Sequence, residues 1–390
     1  MILKIKLLHL FSSMGIILAV MLPFISSSIS AQTPSTEWWQ IMSEIEKKTY
    51  ICYQTGEAII IDGELTEASW EQALWTNYFV DLGPKKIEAH QKPSPVPHLK
   101  TRVKMLWDKN YFYIAAELEE PHIWATLLFH DQIICLENNF EVFIDPNADN
   151  HNYIEIEINA LNTVWDLVLD KPYRDKAKPD QAWNIAGLKN AVYINGTLNN
   201  PKDIDKGWSV EMAIPWASIA PYADTPCPPI ENDQWRVNFA RTEHEHEIVQ
   251  SEFTTSDVIN NAYQKKEDTE VGNWSWSPHG VCNLHTPEMF GIVQFTKQLP
   301  GRAKWILDPT TEARKILLDI YYAQRDFFAI NNKYVNGLKE LGLKNVNTKL
   351  SKARPTIKLT DAGYHAWVEV SIADSIRQVS IFQDSKIIVE

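Results

Sequence analysis

Residues 139–167, "NFEVFIDPNADNHNYIEIEINALNTVWDL", constrain this chain more tightly than any other stretch. Val142 and Ile144 alternate with Glu141, Phe143 and Asp145, and Ile154, Ile156 and Ile158 alternate with Glu155, Glu157 and Asn159. A period of two is the signature of a strand with one buried and one polar face. Two such strands in succession predict a sheet that buries its aliphatic rows and carries carboxylates and amides opposite. That acidic face could meet water, calcium, a proton-transfer substrate or a hydroxyl-rich ligand.

The rest of the chain repeats the pattern. "KTRVKMLWDKNYFYIAAELEE" reads as a hairpin turning at Asp108-Lys109-Asn110. "AIIIDGELTEASWEQA" predicts an apolar strand, a turn at Asp62-Gly63 and a short helical turn. "NAVYINGTL", "GWSVEMAIPW", "WRVNFARTE" and "FGIVQFT" add further strands, without long amphipathic helices between them. The fold class expected is an all-β, antiparallel sandwich of about 8–10 strands. After Leu299 the period changes. Asp308 and Pro309 can open a helix over about 309–331, with Ala313, Ile316, Leu317, Ile320, Tyr321, Gln324, Phe327 and Phe328 on one stripe. Two alternating segments follow Pro355. This C-terminal α+β appendage, residues 308–390, is one long helix plus a small antiparallel sheet.

The N-terminus addresses the protein. Lys4 and Lys6 precede an apolar stretch from Leu7 to Ile25, and small residues follow to Ala31. That order predicts a signal peptide over residues 1–31, cleaved near Ala31, and a secreted or periplasmic protein without membrane insertion. Residues 32–54 form a polar lead-in, helical around Trp38–Lys47. Removing Lys4 and Lys6 with the leader moves the net charge from -13 to -15. So acidic a surface argues against nucleic acid as a partner. Cys52, Cys135, Cys227 and Cys282 contain no C-x-x-C pair, which argues against zinc; one or two disulfides are open to an exported chain. Nothing in the sequence sets an oligomeric state.

Five stretches in order resemble the family 9 carbohydrate-binding modules: "IIIDGELTEASWEQA", "VKMLWDKNYFYIAAEL", "NNFEVFIDPNADNHNYIEIEINALNTVWDL", "DKGWSVEMAIPW" and "WSPHGVCNLHTPEMFGIVQF". The resemblance covers residues 55–298. It implies a β-sandwich and non-catalytic binding of a poly- or oligosaccharide, accessory to polysaccharide breakdown. Its best-known members clamp a sugar between two tryptophans, whose positions here hold Cys135 and Leu284. The strand glutamate is retained as Glu141, a late-strand amide is matched by Asn238, and the family's basic residue falls on Glu157.

Candidate carbohydrate-binding residues are therefore Glu141, Glu157, Asn159 and Asn238 on the polar face, with Glu155 beside them. Trp183, Trp276 and His285 stand nearby as stacking or donor groups. Trp124 and Trp183, in polar loops, are the tryptophans expected to expose a face. Trp70, Trp107, Trp208 and Trp216 are expected in the core. No catalytic residue is singled out and no cofactor is required. Glycoside hydrolysis by a carboxylate pair is the alternative activity, and a scaffold that has lost sugar binding is another. Asp145 and "NADNHN" (147–152) could ligate a structural calcium. In "EHEHE" (243–247) His244 and His246 could share a metal, but a solvated loop is the expectation.

Overall fold

The computed structural model describes residues 35–84, 97–248, 263–267, 269–343, 354–372 and 375–390; the leader and its cleavage point lie outside them. In chain order the first elements are α1 (Thr36–Ser43), β1 (Thr49–Gln54), α2 (Ala68–Gln72), β2 (Val80–Asp81), β3 (Thr101–Trp107) and β4 (Tyr111–Glu119). Next come β5 (Asn139–Asp145), β6 (Tyr153–Ile158), β7 (Val164–Leu169), β8 (Lys189–Asn195), β9 (Gly207–Pro215) and α3 (Trp216–Ile219). Then follow β10 (Gln234–Glu243), β11 (His246–Ile248), β12 (Tyr263–Lys265), β13 (Gly272–Ser275) and β14 (Gly291–Thr296). The chain closes with α4 (Thr311–Asn331), β15 (Thr356–Thr360), β16 (Gly363–Ile372), β17 (Ser375–Phe382) and β18 (Ile387–Val389).

Twelve strands form one sheet, ordered β7-β6-β5-β10-β14-β1-β3-β4-β9-β8, with β13 on β10 and β2 on β13. Inward rows from both ends meet in a single cluster: Val142, Ile144, Ile154 and Ile156 with Met105, Ile114, Met212 and Ile214. The sheet therefore curls over and packs on itself as a sandwich. Each fully buried aliphatic side chain contributes about 1.5–3 kcal/mol, so the alternation itself drives closure. Trp70, Trp107, Trp208 and Trp216 are buried, as expected.

Residues 49–54, which the sequence assigns to the lead-in, form β1, and it runs parallel to both β14 and β3. The apolar run at residues 59–61 is not a strand: Ile59 is buried while Ile60 is 68% exposed. Alternation marks a strand's faces but is silent on partners 240 residues away. Tyr50 and Cys52 are held by pairing with Val293 and Phe295 of β14, and β3 takes over beside Tyr53 and Gln54.

The long helix follows its stripe through Gln324, burying Ala313, Ile316, Leu317, Ile320 and Tyr321 against β16, β17 and α1. Phe328 lies beyond that contact and is 37% exposed. Asp308 is not the N-cap residue. It stands two positions before Thr310 and accepts that residue's N–H at 2.8 Å and hydroxyl at 2.7 Å. Arg174 joins this layer to the sandwich, donating to Glu288 at 2.9 Å and to the Tyr321 hydroxyl at 3.0 Å.

Candidate functional site

The acidic face exists, but it is closed. Pairing sets Glu141 opposite Glu157, and Phe143 opposite both Glu155 and Asn238. Glu141, Glu155 and Glu157 are 1%, 5% and 2% exposed, and a carboxylate oxygen from each lies within 4.8 Å of the others. Thr242 donates to Glu141 at 2.7 Å, whereas Glu157 Oε2 has no hydrogen-bond partner. Burial pushes Glu141 up to about 7. Burial, followed by the Glu141 charge, raises Glu155 and Glu157 well above the usual carboxylate range. The cover is apolar: Ile134, Leu127, Phe290, and the two side chains at the clamp positions, Cys135 and Leu284. Such a cluster can share protons. With its oxygens shut off from solvent, it offers a sugar ring or a scissile bond no approach.

The other expected residues are also committed inside the protein. Asn159 donates to Leu127 O at 2.8 Å and Glu137 at 2.7 Å, and accepts from the Leu161 and Thr163 N–H groups, so it ties two loops together. Asn238 donates to Ser277 O and accepts from Ser277 N–H, both at 3.0 Å, pinning the chain beside Trp276, which is 1% exposed. His285 is half-buried, 3.1 Å from the Tyr153 hydroxyl and edge-on to Tyr173. Burial, then His279 and Arg174, push it down to about 3, so it is a neutral imidazole. Trp124 is buried rather than exposed, and Trp183 is half-buried against the core, edge-on to Tyr222. Polar loop neighbours do not keep a tryptophan in water when a core lies beneath the loop.

In the loop at 145–152 the carboxylates already hold the turn. Asp145 accepts the N–H groups of Asp149 and Asn150 at 3.3 and 3.0 Å, and Asp149 accepts that of His151 at 2.7 Å. Lys386 stands 3.7 Å from Asp149, and Arg314 donates to Ala148 O at 2.6 Å. The turn is held by its own backbone and by side-chain cations. "EHEHE" is not a solvated loop at its start. Glu243 and His244 are 7% exposed, and Glu243 and Glu120 each accept from Arg241 at 2.7 Å. Cys52, Cys135 and Cys227 carry thiols and form no disulfide.

An open polar cleft does exist, on the opposite end of the sheet. The register β3-β4-β9-β8 aligns Arg102, Glu117, Ser209 and Tyr193 in one outward row, while Val103, Ala116 and Val210 turn inward. The cleft holds about 520 Å³ and is flanked by Tyr78 and by Glu64 from the loop before α2. Arg102 donates twice to Glu117 Oε2, at 2.7 and 2.9 Å, and its guanidinium lies 4.2 Å over Trp75. Tyr78 and Tyr193 are 47% and 41% exposed. Lys100, Arg102 and Lys206 are matched by Glu64, Glu117 and Glu119, so donors and acceptors are mixed without excess charge. The β3–β4 register, which the sequence reading of this hairpin left open, sets Arg102 and Glu117 opposite each other.

The curled β-sandwich thus carries an open, charge-balanced polar cleft edged by tyrosines. The family model for carbohydrate family 9 binding domain-like proteins matches residues 61–296, more than half of the chain, and the chain belongs to that family. Among curated relatives, endo-1,4-beta-xylanase A of Thermoanaerobacterium saccharolyticum is 27% identical over 122 residues, 30% of this chain. Endo-1,4-beta-xylanase A of Thermotoga maritima is 26% identical over 171 residues, 43% of this chain. The matched parts are only 8% and 13% of those enzymes. A family 9 carbohydrate binding module from Caldicellulosiruptor kristjanssonii has been solved with cellotriose (TM-score 0.40, 14% identity) and with glucose (TM-score 0.39, 15% identity). Each comparison covers 67% of this chain and all of that module.

Proposed function

We propose that this chain is an exported, non-catalytic carbohydrate-binding protein that takes a neutral poly- or oligosaccharide in the Arg102–Tyr193 cleft, as an accessory to polysaccharide breakdown. Family membership supports the ligand class. The observation that carries the location is the cleft itself: exposed tyrosine rings beside paired donors and acceptors of equal and opposite charge. Sugar hydroxyls donate and accept at once, so they suit such a surface better than an anion or a cation would. Aromatic faces cover the C–H face of a pyranose ring. Among the described residues no helix is long and apolar enough to cross a membrane. Export rests on the Lys4–Ala31 leader pattern.

Isothermal titration with soluble xylan, glucan and pectin fragments tests this. Micromolar-to-millimolar binding that weakens in Tyr193→Ala and Arg102→Ala, and survives in Glu141→Gln, supports the reading. Heat with no sugar in the panel removes it, and binding lost only in Glu141→Gln moves the site to the acidic face.

A further inference from the structure

A second polar pocket of about 440 Å³ opens beside the edge strand β7. His130 and Asp166 stand on its wall, and with Asp131 they bring one ligand atom each within 4.8 Å of one another. His130 Nε2 lies 3.5 Å from Asp131 Oδ1 and 3.5 Å from Asp166 Oδ1, and the Asn184 amide oxygen faces the same nitrogen.

Three of these groups are oriented from behind. His130 Nδ1 is 2.7 Å from the Val164 carbonyl, which can only accept, so Nδ1 carries a proton, and Nε2 is the ring atom left to give up its proton and offer a lone pair to an ion. Ile185 N–H donates to Asp166 Oδ2 at 2.6 Å. That leaves Asp166 Oδ1 aimed at Nε2, inside a residue 1% exposed and without a hydrogen-bond partner. Asn184 spends its N–H on Ala182 O at 3.0 Å, which turns its oxygen inward. Oxygen acceptors from Asp131, Asp166 and Asn184 converge on Nε2, a place that either a proton or a metal ion can fill.

We infer that His130, Asp131 and Asp166 form a binding site for a divalent transition-metal ion of the zinc class, with water completing the shell. Imidazole among carboxylates suits zinc, whereas calcium and magnesium take oxygen alone. Metal–ligand bonds of about 2.0–2.2 Å in a tetrahedron set ligand atoms roughly 3.3–3.6 Å apart, which matches the two 3.5 Å separations. A backbone carbonyl on the far ring nitrogen is the usual second support of a metal-bound histidine. Thiolates take no part, so the missing C-x-x-C pair does not bear on this site. The ion ties the 121–138 connection and the loop before β8 to β7, a closure that raises stability.

The test uses purified protein stripped with chelator, free of any histidine tag, and titrated with zinc chloride alone at neutral pH. One equivalent should bind at micromolar affinity or tighter and raise the melting temperature. His130→Gln, Asp166→Asn and the exposed Asp131→Asn should each weaken binding roughly tenfold or more. Circular dichroism confirms that each variant is folded, and Asp131→Asn keeps the test alive should burial make Asp166→Asn unstable. No zinc uptake by the wild-type chain overturns the proposal, because a proton on Nε2 then supplies the positive charge. Equal uptake by wild type and folded variants also overturns it.

Discussion

Glu141 and Glu157 stand directly opposite each other on β5 and β6, both buried, and no cation figures among the influences on either carboxyl group. Folding therefore favours their protonated forms. The native values lie above the ordinary value of 4.5, at about 7 for Glu141 and well above the usual carboxylate range for Glu157. The native state binds more protons than the unfolded chain across that window, so its stability is full below about pH 4.5 and is lost as pH rises through the native values. Each such group contributes a slope of about 1.4 kcal/mol per pH unit where it titrates. Glu157→Gln copies the protonated form, so it should flatten the fall in melting temperature between pH 5 and 8 and raise stability at pH 8. A variant with an unchanged pH profile would show that the pair is hydrated in solution.

Arg241 is a keystone of another kind. Its guanidinium is buried between Glu120 and Glu243 and also donates to the Glu119 carbonyl at 2.8 Å. Arg241→Met fills similar volume but strands two carboxylates, and should cost about 3–5 kcal/mol in urea unfolding. A cost under about 1 kcal/mol would mean that water or proton uptake replaces the arginine.

Tyr193 is the cleft residue whose loss should separate binding from folding. Its ring is 41% exposed, so Tyr193→Ala should leave the melting temperature within a degree or two of wild type. Sugar affinity should fall by about 0.5–1.5 kcal/mol through lost stacking. Tyr193→Phe should retain most of it. Titration calorimetry and thermal melts on the same samples decide the matter; equal sugar affinity in all three proteins would clear Tyr193 of the role.

Trp39 shows how the short α1 is held. It stacks on Tyr322 at 5.0 Å and donates its indole N–H to Asp319 at 2.6 Å, so α1 is fastened to α4. Trp39→Ala should cost about 3–5 kcal/mol, read by denaturant unfolding, and should make the chain before β1 the first site of proteolysis. Resistance equal to wild type would show that β1 alone retains the N-terminal segment.

The sequence by itself determined the strands of β3–β4, β5–β6, β8, β9, β10 and β14, the long helix and the small C-terminal sheet, because periods of two and 3.6 residues are local consequences of backbone geometry. It also placed Glu141, Glu155 and Glu157 on one face, provided both strands turn their aliphatic rows to the core. Only the tertiary structure decided what that face meets. Leu127, Ile134, Leu284 and Phe290 come from remote segments, and their arrival turned an acidic surface into a buried one. Likewise β1 became a strand through partners at residues 292–296 and 106–107, and Asp166 met His130 only when a loop folded back onto the sheet edge. A polar side chain's role depends on whether water or protein covers it, and that cover is set by chain closure over long separations, which no local period records.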